Sequence, residues 1–251
     1  MQHLFFKAWL IASKYIVLRY FIIAGLAYLL FYVLFKKRWL QLKIQQQFPS
    51  AKSKWTEIYH SVITMVIFAS MAAIVFKVAR SQTHIYMNIS TNGIPYFILS
   101  FPLMFLVHDT YFYWIHRFMH LPWIFKHVHL VHHKSTNPTP WTSYSFHVVE
   151  SILEALILPI IAFSFPVHIG ALLLFLLLQF IYNVYGHLGY ELYPKGFHRT
   201  RIGRWVNTPV AHNMHHKYFK GNYGLYFLFW DRWMGTLDER YDQFSDERRL
   251  S

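Results

Sequence analysis

Histidines in four short clusters are the residues of this sequence whose type and spacing could do chemistry. Two clusters have the spacing His-x-x-His-His, one has His-x-x-x-His, and in the fourth a histidine follows an asparagine by four positions. On a helix, residues three or four positions apart share a face, so each cluster can direct its imidazoles toward one point. The clusters are His116 and His120; His129, His132 and His133; Asn183 and His187; and His212, His215 and His216.

The chemistry that such clusters suggest is metal binding. Neutral imidazole is a good ligand for iron, zinc, copper or nickel and needs no cysteine or carboxylate beside it. One mononuclear site takes three or four ligands, so the nine clustered histidines predict two metal ions with room for water, dioxygen or substrate. The alternative, polar side chains at the headgroup level of a membrane, accounts for an isolated histidine better than for two separate His-x-x-His-His clusters.

The composition indicates a membrane protein. The chain has 251 residues, of which 55% are hydrophobic and 14% are charged, and its formal net charge is +13. Soluble domains are about one quarter charged. A basic balance can indicate nucleic acid or an anionic membrane surface, and here the hydrophobic content favours the membrane and predicts no nucleic-acid partner. The absence of cysteine excludes disulfides, a thiolate zinc site, a cysteine nucleophile and an iron–sulfur cluster.

Apolar runs predict the elements that must position the histidines. A membrane-spanning helix needs about 20 residues, so the first three runs are predicted to span and the first to remain in the mature protein. Arg19, the one charge in the first run, is expected near a helix end, with its side chain reaching the headgroups. The last two runs flank Pro166, are short, and could form a tight hairpin. The five runs are 15–35, 58–76, 94–107 with its aromatic continuation 111–114, 152–165 and 167–185.

The distribution of positive charge predicts the orientation. Segment 36–54 contains six lysines or arginines and no acid, whereas 77–93 contains two basic residues. We therefore expect 36–54 to be cytosolic, and the N-terminus and 77–93 to be outside. If the last two runs form a hairpin, the polar stretches 116–147 and 186–251, which contain the clusters, share the cytosolic face. The membrane could be a bacterial inner membrane or the endoplasmic reticulum.

The predicted fold class is all-α: an integral-membrane helical bundle with a cytosolic helical cap that carries a histidine-rich dimetal site. Residues 1–251 are expected to form a single domain. It would comprise N-terminal transmembrane helices (1–93), a histidine-box region (94–240) and a polar tail (241–251) that is expected to be solvated.

These motifs resemble the fatty acid hydroxylase/sterol desaturase superfamily, whose members are membrane di-iron enzymes with histidine boxes. The resemblance covers about residues 95–240 in family order, whereas the first 90 residues match only as generic membrane helices. The segments that carry it are 108–120, 129–135, 140–147, 183–187, 212–216 and 230–236.

The resemblance implies two iron ions, dioxygen as co-substrate, and hydroxylation or desaturation of a C–H bond in a sterol-like or long-chain fatty acyl lipid. Zinc could substitute, because it competes well for imidazole. Where some acyl hydroxylases of the family have a further histidine, this chain has Asn183, whose carbonyl could bind a metal or hold a water. The metal ligands and catalytic residues carried over are His116, His120, His129, His132, His133, His187, His212, His215 and His216.

Acidic residues near the clusters are candidates for orienting the imidazoles, since metal-binding histidines commonly donate their other N–H to a carboxylate. The alternative for Asp109 and Asp231 is helix capping or pairing with an arginine. Glu57 ranks below the others because it precedes an apolar run. The candidates are Asp109, Glu150, Glu191 and Asp231.

Electrons must come from another protein, because the sequence shows no Rossmann fingerprint, haem-attachment motif or ferredoxin cysteines. The expected donor is ferredoxin-like, or a cytochrome b-type protein with a reductase. Six basic residues could dock an acidic carrier or attract anionic headgroups, and the sequence does not choose between these roles. They are Lys195, Arg199, Arg201, Arg204, Lys217 and Lys220.

Aromatic residues near the clusters could line an apolar channel for a substrate from the bilayer or form an interface belt, so none is assigned to substrate. They are Tyr111, Tyr113, Trp114, Trp141, Tyr144, Phe146, Tyr185 and Tyr223. The alternative function is a histidine-rich membrane metal-binding or transport protein. A transporter should place its ligands near mid-span, whereas these clusters follow the apolar runs.

Overall fold

The computed structural model describes residues 2–78, 80–248 and 250, and most of them are helical. In chain order the α-helices are α1 (Gln2–Tyr28), α2 (Ala51–Ala73), α3 (Gly93–Met119), α4 (Pro122–Ile124), α5 (Leu130–His133), α6 (Val148–Ala155), α7 (Ile157–Ser164), α8 (Ile169–Gly186), α9 (Pro209–Tyr218), α10 (Phe229–Trp233) and α11 (Tyr241–Glu247). Strands β1 (Ile85–Tyr86) and β2 (Val167–His168) pair in parallel. π-Helical segments cover Leu29–Leu34, Ile74–Val78 and Phe125–His129.

Within the described residues, four helical segments are long and apolar enough to cross a membrane, which confirms the predicted membrane bundle. They are His3–Leu34, Ala51–Lys77, Gly93–Met119 and Ile169–Gly186. Large apolar side chains on their outer faces are exposed, including Ile22 at 53% and Ile98 at 61%. Such a surface would be unfavourable in water and is what contact with lipid tails requires.

The run 152–165 is not one helix, because it is divided between α6 and α7 around Leu156. Pro159 lies in the first turn of α7. Its ring nitrogen has no N–H to donate to a carbonyl four residues earlier, and the ring clashes with that carbonyl. The continuous apolar composition therefore concealed a break in the helix.

The last two apolar runs form a hairpin that returns the chain to the histidine end of the bundle. β1 lies between α2 and α3, and it pairs with β2, which lies between α7 and α8. The backbone N–H of His84 also donates to Ala162 O at 2.8 Å. Helices α6 and α7 thus lead to the end of the bundle marked by β1, and α8 leads back.

The prediction that Arg19 lies near a helix end is wrong. The first helical segment begins well before the apolar run, so Arg19 lies in the middle of the span His3–Leu34. The residue is only 8% exposed. Its guanidinium donates hydrogen bonds inward to Leu176 O and Tyr144 Oη.

The expectation of a solvated tail is also wrong for part of the described segment beyond 240. Tyr241, Phe244 and Leu250 are buried in a cluster with Ile44 and Met214. The mixed charge of this segment concealed an apolar face, because Tyr241 and Phe244 lie one helical turn apart on α11.

The backbone of Lys43 pairs the segment between the first two spans with the loop after α8. Lys43 and Tyr190 form an antiparallel bridge. Lys43 is fully buried, and its Nζ has no hydrogen-bond partner among the described residues. The ammonium lies 5.2 to 5.4 Å from the ring centroids of Tyr32, Phe48 and Tyr190. Burial lowers the pKa of Lys43 to about 8.

Replacing Lys43 by methionine should stabilise the protein more at pH 7 than at pH 9.5. The folded-state pKa lies below the ordinary lysine value, so the unfolded chain binds more protons and charged Lys43 destabilises the fold below about pH 8. That penalty is at most roughly 3 kcal/mol, since contact with three rings favours the ammonium. It begins to fall as pH rises above about 8 and is lost only near the ordinary lysine value. Thermal unfolding in detergent at both pH values measures the difference, and an advantage for methionine that grows with pH would contradict this account.

Candidate metal centre

The nine predicted histidines converge at one end of the bundle in two groups. Within each group, the ligand nitrogens all lie within 4.8 Å of one another. Eight of the nine side chains are buried, and His120 is half-buried. The first group is His116, His120, His129, His133 and His215, and the second group is His132, His187, His212 and His216.

Both His-x-x-His-His clusters are divided between the two groups, so the expectation that each cluster points at one site is wrong for them. His129 and His133 enter the first group, but His132 enters the second; His212 and His216 enter the second, but His215 enters the first. On a helix, positions i and i+4 differ by about 40°, while i+3 lies about 60° to the other side of i. The motif therefore has two diverging faces, and each face serves a different group.

Hydrogen bonds to backbone carbonyls determine where the imidazole protons are. A carbonyl oxygen can only accept, so the contacting Nδ1 must carry the proton, and Nε2 of the neutral ring is left with its lone pair. Nδ1 donates from His116 to Tyr223 O at 2.9 Å, from His132 to Ser145 O at 3.3 Å, from His187 to Asn183 O at 2.8 Å, from His215 to Gly221 O at 2.7 Å, and from His216 to Ser135 O at 3.0 Å.

The Nε2 atoms face one another at distances that suit ligands of a common ion. In the second group, His187 Nε2 lies 3.3 Å from that of His132, 2.9 Å from that of His212 and 3.3 Å from that of His216. Since Nδ1 carries the proton on His132, His187 and His216, these Nε2 atoms cannot hydrogen bond to one another, and their lone pairs repel. A cation between them removes the repulsion, so the donor set fits a metal ion.

Burial keeps these imidazoles neutral. It lowers the pKa of His120 to about 2 and that of His187 to about 4. It also lowers, well below the ordinary value, the pKa of His129, His132, His133, His212, His215 and His216. The lone pairs are therefore available to a metal at neutral pH.

Glu150 is the candidate acid that contacts a clustered histidine directly. His129 Nδ1 donates to Glu150 Oε1 at 2.7 Å, and both side chains are buried. Burial raises the pKa of Glu150 well above its usual range. Glu150 lies in the first turn of α6, so this helix fixes the orientation of an imidazole in the first group.

Asp109 and Asp231 contact no clustered histidine among the described residues, so they do not orient an imidazole by direct contact. Asp231 accepts from the backbone N–H of Tyr223 at 2.9 Å and of Gly224 at 2.8 Å, and from Thr236 Oγ1 at 2.7 Å. Asp109 accepts from the N–H of Tyr226 at 2.7 Å. Both acids therefore hold the 221–227 loop, whose carbonyls accept from His116 and His215. A Cβ on Gly224 would lie 2.2 Å from Phe227 O, so the loop requires glycine there.

Glu57 has a larger role than the sequence suggested. This fully buried carboxylate accepts from Ser135 Oγ at 2.9 Å, Thr139 Oγ1 at 2.7 Å and Ser53 Oγ at 3.2 Å. Ser135 O accepts in turn from His216. Glu57 thus ties α2 to the backbone that orients the second group. An acid adjoining an apolar run was the sequence signal for this network.

Glu191 and Asn183 support the second group by other contacts. Glu191 accepts from the N–H of Tyr193 at 2.9 Å and of Val210 at 3.4 Å, in the first turn of α9. Burial raises its pKa to about 7. Asn183 Nδ2 donates to Ser143 O at 2.9 Å. Metal binding by its side-chain carbonyl stays a prediction.

An apolar cleft of about 1430 Å³ runs between α1, α2, α6, α7 and α8. It adjoins a smaller space that is lined by His116, His129, His132, His187 and His212. Of the aromatic residues named from the sequence, Tyr144 and Phe146 line the cleft. Sequence reasoning did not identify Glu154, a carboxyl that lines both spaces. The residues lining both spaces are His108, Phe146, Glu154, Gln179 and Asn183.

Comparison with known proteins identifies related sequences. A Delta(7)-sterol 5(6)-desaturase of Gibberella zeae is 31% identical over 157 residues, which are 62% of this chain and 47% of the relative. One from Aspergillus fumigatus is 30% identical over 197 residues, 77% of this chain and 56% of the relative. Lathosterol oxidase of Rattus norvegicus is 33% identical over 160 residues, 63% and 52% of the two chains.

The chain spans about half the length of these curated relatives. No solved structure matches it. The family model described as fatty acid hydroxylase matches residues 101–236, more than half of the chain, and this range contains all nine clustered histidines. The chain therefore belongs to the fatty acid hydroxylase family.

Proposed function

We propose that this chain is a membrane-bound di-iron oxygenase that hydroxylates or desaturates a C–H bond of a lipid, using dioxygen and external electrons. The observation that carries the proposal is the pair of histidine groups whose lone pairs point inward, beside an apolar cleft between the membrane helices. A lipid in the cleft would reach the histidines without entering water. The family match and the sterol-oxidising names of the relatives support a sterol-like or long-chain fatty acyl substrate.

The residues of the protein would hold the two iron ions in position. The first and second groups would each hold one iron, and bound iron supplies the activation of dioxygen and the oxidising power. Backbone carbonyls hold His116 and His215 in the first group and His216 in the second with Nε2 facing inward. Glu150 orients His129 in the same way. Such outer contacts are typically worth 10- to 100-fold in metal affinity or activity.

The cleft would orient the lipid and exclude water. Its lining includes the apolar residues Ile16, Phe68, Phe146 and Leu158. Few polar side chains line the cleft. A mostly apolar wall with a small number of placed polar groups is typical of lipid and cofactor sites. Phe146 packs against His132 with ring centroids 5.0 Å apart, so the apolar wall reaches the second group.

Electrons would come from an acidic carrier on the cytosolic side. The excess of basic residues in 36–54 supports a cytosolic histidine end, and exposed residues including Arg201 and Lys220 lie in the cap. A ferredoxin-like protein or a cytochrome b-type protein with its reductase fits this charge. The proposal holds for a bacterial inner membrane and for the endoplasmic reticulum.

Metal analysis and lipidomics test the proposed function together. Protein purified after growth with iron should contain about two iron ions per chain. Membranes containing it should show a lipid that has gained one oxygen or lost two hydrogens, relative to membranes without it. His127→Ala, which alters an exposed histidine outside both groups, should leave both results unchanged. Unchanged lipids under aerobic, reducing conditions, with metal bound, would favour a metal-binding or transport protein.

A further inference from the structure

Arg19 is a buried cation in the middle of a membrane-spanning helix. It lies 16 residues after the start and 15 before the end of the span His3–Leu34. At 1.5 Å per residue, each end of the segment is more than about 20 Å away along the helix. The guanidinium of Arg19 is directed into the protein, toward Leu176 O and Tyr144 Oη. Charged residues inside membrane-spanning segments are costly and by default mark a functional site.

In the part of the chain that the structure describes, no carboxylate neutralises this charge. Among residues 2–78, 80–248 and 250, none forms an ion pair with Arg19. Two of its five N–H groups donate, to Leu176 O and Tyr144 Oη, and Nε has no partner. The rings of Tyr15, Tyr144 and Phe180 lie 5.0 to 6.0 Å from the guanidinium carbon. Aromatic rings favour a cation but carry no opposite net charge.

Arg19 lines the apolar cleft, and one face of α8 connects it to the second group. Leu176, which accepts from Arg19, is followed on α8 by Gln179 and Asn183, which line both the cleft and the histidine-lined cavity. His187 of the second group comes next at the same helical spacing. Eleven residues separate Leu176 from His187, or about 16 Å along the helix. The cleft thus extends from an unneutralised guanidinium toward the candidate metal centre.

We propose that Arg19 binds the carboxylate of a lipid acid whose hydrocarbon part lies in the apolar cleft and extends toward the histidines. A guanidinium binds a carboxylate through two parallel hydrogen bonds as well as by charge, whereas a hydroxyl or an ester would leave the buried charge without a counter-ion. If the proposed function holds, the substrate is a long-chain or sterol-derived carboxylic acid, and it is oxidised far from the carboxylate. Binding itself requires no turnover.

Binding of matched lipids tests the proposal. The probes are stearic acid, methyl stearate and cholesterol, measured with the full-length, iron-loaded protein in nanodiscs of neutral phosphatidylcholine. We expect the acid to bind about tenfold or more tightly than the ester, because the charge-assisted contact is lost with the ester. Arg19→Gln should bring the ratio of the two affinities close to one, and Arg19→Lys should keep part of it. Lys14→Gln, which removes an exposed charge from the same helix, should keep the full ratio.

Three results would overturn the proposal. They are equal binding of acid and ester by the wild type, an unchanged preference for the acid in Arg19→Gln, and cholesterol binding that equals that of the acid and is lost in Arg19→Gln. If Arg19→Gln does not fold, the wild-type ratio and Arg19→Lys still decide. A clear preference for the acid, together with unchanged membrane lipids under aerobic, reducing conditions, would reject the proposed function and leave the carboxylate site standing.

Discussion

The double substitution His132→Ala/His212→Ala should remove one of two metal ions, whereas His132→Ala/His133→Ala should remove less metal. His132 and His212 come from different sequence clusters but share the second group, which would be left with two imidazoles. His132 and His133 are neighbours in sequence but belong to different groups, which would keep three and four imidazoles. Because three or four ligands hold an ion, only the first variant lacks a complete site.

Metal content per chain, measured after dialysis against a weak chelator, checks this prediction. We expect about one ion in His132→Ala/His212→Ala and clearly more than one in His132→Ala/His133→Ala. Lipid oxidation should fall on the order of a hundredfold or more in both, since changes outside the ligands already cost 10- to 100-fold. His127→Ala is the control. The opposite order of metal loss would mean that the sequence cluster, and not the spatial group, is the unit of metal binding.

The convergence of the histidines was predictable because it depends on local geometry. Positions i and i+4 share a helix face in any fold, and few structures other than a metal site explain several such pairs in an apolar sequence. Helical periodicity also separates His132 from His129 and His133, because i+3 lies on the other side of i from i+4. Which group each face joins was not predictable, because it depends on the approach of α8 and α9 to the 129–133 segment.

The carboxylates that support the histidines were only partly predictable from the sequence. Glu150 was named from proximity in sequence, and it does contact His129. Asp231 and Glu57 contact segments that are distant in sequence and that carry the carbonyls accepting from the histidines. These contacts depend on the tertiary fold, so the sequence alone did not predict them. Arg19 was misplaced for a related reason. The apolar run that contains it is shorter than its helix, and composition did not show where the helix begins.

Asp231 and Glu57 hold the two groups in equivalent ways, but their amide substitutions should have unequal effects. Asp231 accepts from two backbone N–H groups and one hydroxyl. A backbone N–H cannot turn into an acceptor, so the NH₂ of Asp231→Asn would leave a donor facing a donor. Glu57 accepts from three hydroxyls, which can rotate and accept from the amide of Glu57→Gln.

We therefore expect Asp231→Asn to lower the free energy of unfolding by on the order of 3 kcal/mol and Glu57→Gln by about 1 kcal/mol. The first change corresponds to roughly 6–12 °C in the unfolding midpoint of a chain of this size. Asp242→Asn and Glu239→Gln, which alter exposed acids, should have little effect. An equal or larger shift for Glu57→Gln would show that the hydroxyls around Glu57 cannot reorient.

The same pair of substitutions should separate the two groups. In a His132→Ala/His212→Ala background, the remaining ion belongs to the first group, whose His116 and His215 donate to the loop that Asp231 holds. Adding Asp231→Asn should weaken binding of that ion by about tenfold or more, and adding Glu57→Gln should not. Titration with metal under a competing chelator measures both affinities. Equal weakening of metal binding by both substitutions would contradict this prediction. It would show that the 221–224 loop and the Ser135 backbone do not support the two groups independently.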